Sequence, residues 1–222
     1  MGKLIVLEGL DGSGKGTQTD LLCEWLRKCG RKVKKIDFPH YGSEGAALVE
    51  LYLKGGLGGS PFDTNAYAAS MFYAADRYVS YRKEWMADYN DPDTVIVANR
   101  YTTANAYHQL SKLDETEYKT FLDWLWDFEY GKLGLPVPDM VLLLDMPASL
   151  SEKMVDRRGA EKDIHELDKD YLEKCRNAAL YVARTCRWMV IPCGDEGSDL
   201  PYPREKILGE ITEVVETVFS SK

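Results

Sequence analysis

The chain has 222 residues, 45% apolar, 29% charged and 11% aromatic, enough bulky apolar mass to bury a core as one domain over residues 1–222 without disulfides or structural metal. Its 36 acidic against 28 basic residues leave a net charge of −8, which argues against nucleic acid or an anionic membrane as partner and makes any phosphate site a local feature. Five cysteines with no C-x-x-C pair argue against a disulfide framework or a zinc site. With no bilayer-length apolar run and no signal pattern after Met1, they predict a reduced, cytoplasmic protein.

Short β-rich runs are expected at 3–7, 33–37, 94–98, 140–144 and 188–191. Between them the apolar period and the breakers predict helices over 15–29, 44–54, 65–89, 103–110, 115–130, 149–158, 169–186 and 204–219. Strands alternating with helices, with continuous rather than alternating apolar character, imply an α/β fold: a three-layer, doubly wound, five-stranded parallel sheet. Its ligands sit at the carboxyl edge of the strands. Two segments have the composition of a lid: the glycine-rich 55–61, and the charged stretch after Arg157 and Arg158, giving a mobile lid around 157–168.

The strongest signal is Gly9-Leu10-Asp11-Gly12-Ser13-Gly14-Lys15-Gly16-Thr17, directly after the first strand and opening the first helix. This is a P-loop. Its glycines let backbone N–H groups turn inward on a phosphate, the helix N-terminus adds a favourable dipole, and Lys15 brings a charge to the β- and γ-phosphates of ATP. The hydroxyl that usually follows the lysine and faces Mg²⁺ is displaced one place, because Gly16 stands there and Thr17 comes next. No Asn-Lys-x-Asp segment occurs, which excludes the GTPase reading. Asp145, closing the run Val141-Leu142-Leu143-Leu144, reads as a structural strand-end acid.

Four further segments accompany the P-loop: Phe38-Pro39 after the second strand, Tyr73-Ala74-Ala75-Asp76-Arg77, Asn99-Arg100-Tyr101 after the third strand, and Arg157-Arg158 before the charged loop. Their order and spacing resemble thymidylate kinases over nearly the whole chain. The resemblance implies a P-loop NTPase fold of the nucleoside monophosphate kinase type, transfer of phosphate from ATP to dTMP with Mg²⁺, and a homodimer. It further implies that Asp11 meets the 3′-hydroxyl of the acceptor sugar and that Tyr73 stacks on thymine. Arg77, four residues on and so on the same helix face, donates to a base carbonyl. Asn105 reads the base edge, Tyr107 or His108 lies near the sugar, and Arg100 clamps the acceptor phosphate bidentately. With Gly12 where some family members carry a catalytic arginine, Arg157 and Arg158 are the lid candidates for the transferring phosphoryl group.

Three positions depart from the family pattern. Asn99 stands where an aspartate commonly faces hydrated Mg²⁺, so Thr17 and Asn99 are the candidate metal-facing groups, acting through water. Tyr41 occurs where an arginine often contacts the monophosphate, and Ala104 where a hydroxyl is frequent. These departures leave two alternatives open: a kinase for another nucleotide or a deoxynucleoside, and a nucleotide-binding protein with little catalysis. The charged segment 162–166 reads as a branch-specific lid, with His165 a polar loop residue.

Overall fold

The computed structural model describes residues 1–158, 163–165, 167 and 169–220, with only the backbone described at Arg158, Lys169 and Ser220. Five strands, β1 (Lys3–Gly9), β2 (Lys32–Asp37), β3 (Thr94–Asn99), β4 (Met140–Asp145) and β5 (Met189–Pro192), form one sheet in the order β2-β3-β1-β4-β5. Every neighbouring pair is parallel, with Leu7 opposite Asn99 and Leu142.

The helices are α1 (Lys15–Lys28), α2 (Ala47–Leu53), α3 (Ala66–Ser80), α4 (Met86–Asn90), α5 (Thr102–Leu110), α6 (Tyr118–Trp126), α7 (Ala148–Arg158), α8 (Lys169–Cys186) and α9 (Arg204–Ser220). They cover both faces, which explains the unbroken apolar strands. Ile5 and Leu7 of β1 point to the layer holding Leu22 and Leu26 of α1 and Ile207, Ile211 and Val215 of α9. Leu4 and Val6 point the other way, to Phe38, Trp85 and Tyr101. Leu22 and Leu26 are fully buried, each a stabilisation of about 2 kcal/mol. Among the described residues no helix is long and apolar enough to cross a membrane.

Two expected helices are interrupted. The stretch 65–89 divides at a π-helical turn, Tyr81–Trp85, which brings Trp85 wholly into the core between Tyr81 and Tyr101. The stretch 115–130 begins as a 3₁₀ turn, Glu115–Glu117, and ends in a second π-helical turn, Asp127–Lys132, within which Glu129 is buried. A π turn adds a residue to the turn and rotates the side chains beyond it, which a 3.6-residue period does not anticipate. Asp145, read from the sequence as a structural strand-end acid, is held by Arg176 at 2.9 and 3.2 Å.

Candidate active site

The loops after β1, β2 and β3 converge at the carboxyl edge of the sheet. After β1 the chain turns through Gly12 (φ +82°) and Gly14 (φ +83°), left-handed conformations that glycine adopts without penalty, and enters α1 at Lys15. No side chain caps α1 and no acid stands in its first turn, so its leading N–H groups and dipole are available to an anion. Lys15 is buried, its Nζ donating to the Leu10 carbonyl at 2.7 Å and lying 3.8 Å from Asp11 Oδ1. The amino end of α7 closes over the loop, with the Ser151 hydroxyl donating to the Asp11 carbonyl. A Cβ on Gly12 would fall inside the van der Waals shell of the Ser151 carbonyl oxygen, so position 12 has no room for an arginine.

After β3, Arg100 takes a left-handed backbone (φ +64°) that places its N–H on the Leu7 carbonyl at 3.0 Å. A non-glycine residue held in that region carries strain that its surroundings must over-determine. They do so through its side chain. Nη2 donates to Asp11 Oδ1 at 2.8 Å, while Nη1 lies 2.8 Å from the Tyr107 hydroxyl and 2.9 Å from His108 Nε2. Behind it Glu8, fully buried on β1, accepts from Tyr101 N, Thr103 Oγ1 and Tyr107 Oη. Burial works against the Asp11 carboxylate, and the Arg100 and Lys15 charges override it, holding Asp11 well below the usual carboxylate range. Burial and the Arg100 charge keep His108 neutral. Because Nε2 accepts from Arg100, the His108 proton resides on Nδ1, 3.3 Å from the Tyr171 hydroxyl.

Two adjoining cavities meet at this arginine. The larger is lined by Gly12, Gly14, Lys15, Gly16, Thr17, Asn99 and Arg157. The smaller is lined by Tyr73, Arg77, Ala104, Asn105 and His108. Asp11, Phe38, Tyr41, Arg100 and Asp163 line both. The remaining expected residues stand back from them. Gly9 gives its carbonyl to Tyr107, and Ser13 is buried beneath the loop. Of the two residues expected at the sugar, His108 lines the smaller cavity. Tyr107 is a correction: it lies wholly buried behind Arg100, because Glu8 and Gly9 draw its hydroxyl to the sheet. The Arg158 side chain and half of the lid, including Lys162 and Glu166, lie outside the described residues.

The far wall of the smaller cavity is a buried network. Arg77 is fully buried and donates through Nε and Nη2 to Glu129 at 2.7 and 2.5 Å. Glu129 also accepts from Thr102 Oγ1 at 2.8 Å and Asn105 Nδ2 at 3.3 Å. Sequence reasoning misses both Glu129 and Glu8. A signal for Glu129 exists, since it falls on the spacing of the buried residues Phe121, Leu122 and Leu125, and an acid on an apolar stripe implies a buried partner. Glu8 directly follows the apolar run of β1, one place beyond the expected strand.

His165, expected as a polar loop residue, is a second correction. It is 4% exposed, with Nε2 2.8 Å from the Tyr52 hydroxyl and its ring stacked on His108. Its neighbour Ile164 packs into the apolar cluster of Val49, Leu53 and Ala69, so this part of the expected lid is docked on α2 and α3.

Asn99 Nδ2 donates to Asp37 Oδ1 at 3.0 Å, which leaves Asn99 Oδ1 buried, without a partner, on a residue lining the P-loop cavity. With the Thr17 hydroxyl on the same cavity, the oxygens suit a hydrated Mg²⁺ held chiefly by phosphates. Among the described residues no cluster of three acidic, histidine or cysteine side chains forms a metal centre on its own.

The solved thymidylate kinase of Candida albicans superposes on 97% of this chain and 92% of its own with a TM-score of 0.70 at 23% identity, a likeness of fold. In sequence, the thymidylate kinase of Mycobacterium tuberculosis (strain H37Rv) is 30% identical over 200 residues, covering 85% of this chain and 90% of its own. A probable thymidylate kinase of Methanosphaera stadtmanae is 32% identical over 181 residues, 82% of this chain and 84% of its own. The profile of the thymidylate kinase family itself matches residues 7–199, which takes in the P-loop, the Arg100 loop, Glu129 and α7 alike, and the chain belongs to that family.

Proposed function

We propose that the protein transfers the γ-phosphoryl group of ATP to the phosphate of dTMP, forming dTDP and ADP. The observation that carries this reading is the shared wall: Arg100 and Asp11 line both the P-loop cavity and the aromatic cavity beside it. In this reading ATP places its phosphates over the P-loop amides and Lys15, and the thymine ring lies against Tyr73 and Phe38, with Arg77 and Asn105 at its edge. Asp11 accepts from the sugar hydroxyl, and Arg100 and Tyr41 hold the acceptor phosphate.

An oxygen of the acceptor phosphate attacks the γ-phosphorus as the bond to the β,γ-bridging oxygen breaks. The dianionic phosphate needs no base, in keeping with a site that offers charge and positioning rather than a nucleophile. Lys15 and Arg100, with Arg157 from α7, stabilise the charge that spreads over the transferring oxygens. Mg²⁺, when bound, would neutralise charge on the transferring phosphates, and Thr17 and Asn99 are the residues that would meet its water shell. With position 12 closed by Ser151, the additional cation comes from α7.

The protein is also proposed to be a homodimer in a reducing cytoplasm. Leu48 and Leu51 of α2, with Tyr67, Met71 and Tyr78 of α3, are exposed on two packed helices, an apolar stripe of the kind that marks an interface. The cysteines are unpaired, and Cys23, Cys175 and Cys193 are buried.

The experiment is ADP release with ATP and Mg²⁺, offering dTMP, dUMP, dGMP, dCMP, AMP and thymidine in parallel, with product mass determined. Turnover with dTMP giving dTDP is expected. Turnover confined to another acceptor would overturn the acceptor assignment, and ATP binding without turnover would overturn the kinase reading. Analytical ultracentrifugation tests the dimer.

A further inference from the structure

The smaller cavity presents a defined pair of hydrogen-bonding atoms, set by a residue that does not line it. Asn105 is 2% exposed and lines the cavity. Its amide nitrogen is committed on both sides, to the Ser70 carbonyl and to Glu129 Oε1, each at 3.3 Å. The amide oxygen is therefore the atom left for the cavity. Arg77 spends Nε and Nη2 on Glu129, and its Nη1 lies 3.5 Å from the Tyr101 carbonyl. A guanidinium has five N–H groups, so two remain for a ligand. The wall thus offers one acceptor and, beside it, donors.

We propose that Glu129 is the positioning residue of base recognition, orienting Asn105 and Arg77 together so that the cavity accepts a lactam edge, a ring N–H next to a carbonyl. Thymine and uracil carry that edge at N3–H and C4=O. Cytosine reverses it, with a bare N3 and an amino group at C4, and meets acceptor with acceptor and donor with donor. The 5-methyl group plays no part in this discrimination.

Glu129 is suited to the task because it is fully buried and carries four donors from two helices: Arg77 on α3, and Thr102 and Asn105 on α5. A carboxylate has only acceptors, so the amide group of Asn105 must face it nitrogen-first. An amide at position 129 leaves that constraint to the Ser70 carbonyl alone, since its own N–H₂ is satisfied by Asn105 turned oxygen-first. In that orientation the cavity gains a donor where it had an acceptor.

The inference rests on the proposed acceptor site, and the experiment separates the two. Equilibrium dissociation constants are measured for dTMP, dUMP, dCMP and N3-methylated dTMP on the intact protein and on Glu129→Gln and Glu129→Asp, with ATP affinity as control. The unaltered protein is expected to bind dTMP and dUMP at least about 100-fold more tightly than dCMP or the N3-methyl compound, the discrimination of a site left with unpaired buried polar groups.

Glu129→Gln should bring the dTMP to dCMP ratio down about tenfold or more with ATP affinity unchanged, a shift that loss of packing alone does not produce. Removing one partner of a buried ion pair can prevent folding, so Glu129→Asp, which keeps the charge but withdraws it by one methylene, is the second variant. It should raise the dTMP dissociation constant and lower the ratio. Equal weakening of all four ligands in both variants would overturn the inference, as would indifference of the unaltered protein to N3 methylation. Selective dTMP binding without dTDP formation would overturn the kinase reading and support the inference.

Discussion

Arg100 Nη2 and Asp11 Oδ1 lie 2.8 Å apart across the junction of the two cavities, tying the loop after β3 to the P-loop after β1. The pair holds two opposite charges ready at the boundary between the two cavities, each already oriented before a ligand arrives. Such preorganisation costs no rearrangement at the moment of reaction.

Arg100→Ala should therefore lower kcat by at least about 100-fold, the scale on which an oriented cation contributes to a charged transition state. Arg100→Gly should share that loss but retain more thermal stability, since glycine accepts φ +64° freely. Comparing melting temperatures with turnover numbers checks both statements. An arginine replacement that left kcat intact would remove the residue from the mechanism.

Lys15→Ala should reduce kcat by about 100- to 1000-fold while the acceptor KM stays near its original value, because Lys15 lines the P-loop cavity only. Steady-state kinetics with dTMP varied at saturating ATP gives the split directly.

Gly12→Ala places a methyl group against the Ser151 carbonyl in a backbone of φ +82°. The expected cost is about 1–3 kcal/mol of stability, with a weaker hold on ATP as the loop or α7 shifts to make room. Chemical denaturation and ATP titration of the same variant test this. An unchanged midpoint would mean that α7 does not rest on the P-loop in solution.

Asn99→Asp sets a second carboxylate where an amide now donates to Asp37 at 3.0 Å. Like charges at that distance destabilise the metal-free protein and favour a divalent cation between them. The variant should melt lower than the parent without Mg²⁺, recover on adding it, and reach half-maximal activity at lower Mg²⁺. A melting temperature insensitive to Mg²⁺ in both proteins would take position 99 away from the metal.

His165 titrates near 6.5 when unfolded, and burial together with the nearby Lys112 charge pushes it down to about 3 in the folded protein. The unfolded chain then binds the extra proton over that interval, so stability falls as pH drops below 6.5. From pH 7 to pH 5 the loss through His165 is about 2 kcal/mol. His108, also held below its ordinary value, acts in the same direction. Lys112, pushed down to about 8 by burial, contributes with the same sign only between its unfolded value of 10.5 and about 8, and is silent below. Glu8, raised by burial, opposes the slope in the acid range. His165→Gln retains a hydrogen-bonding group for Tyr52 and removes one titration, so its stability should decline less steeply with acid than that of the parent. Urea unfolding of both proteins at the two pH values measures the difference. Parallel slopes would show that His165 is not buried in the folded state.

The five strands, their parallel arrangement and the P-loop are all legible in the amino-acid sequence, because each signal is carried by consecutive residues. An apolar run, a glycine series and a helix start depend on local sterics and periodicity. The same holds for Lys15 at the start of α1 and for Asp11 and Arg100 in the loops after β1 and β3, which the fold brings to one edge. Tertiary structure decided which groups meet. The period over 115–130 marks a buried face but not that Glu129 on it meets Arg77, 52 residues away in the chain. Tyr107 and His108 are adjacent in sequence, yet Glu8 draws one into the sheet while the other faces the cavity. His165 has the composition of a surface loop around it and becomes buried only because Tyr52, His108 and Tyr171 surround it. Pattern along the chain reports how much of a residue leaves water, whereas its hydrogen-bonding partners, and hence its chemistry, come from contacts between segments far apart in sequence.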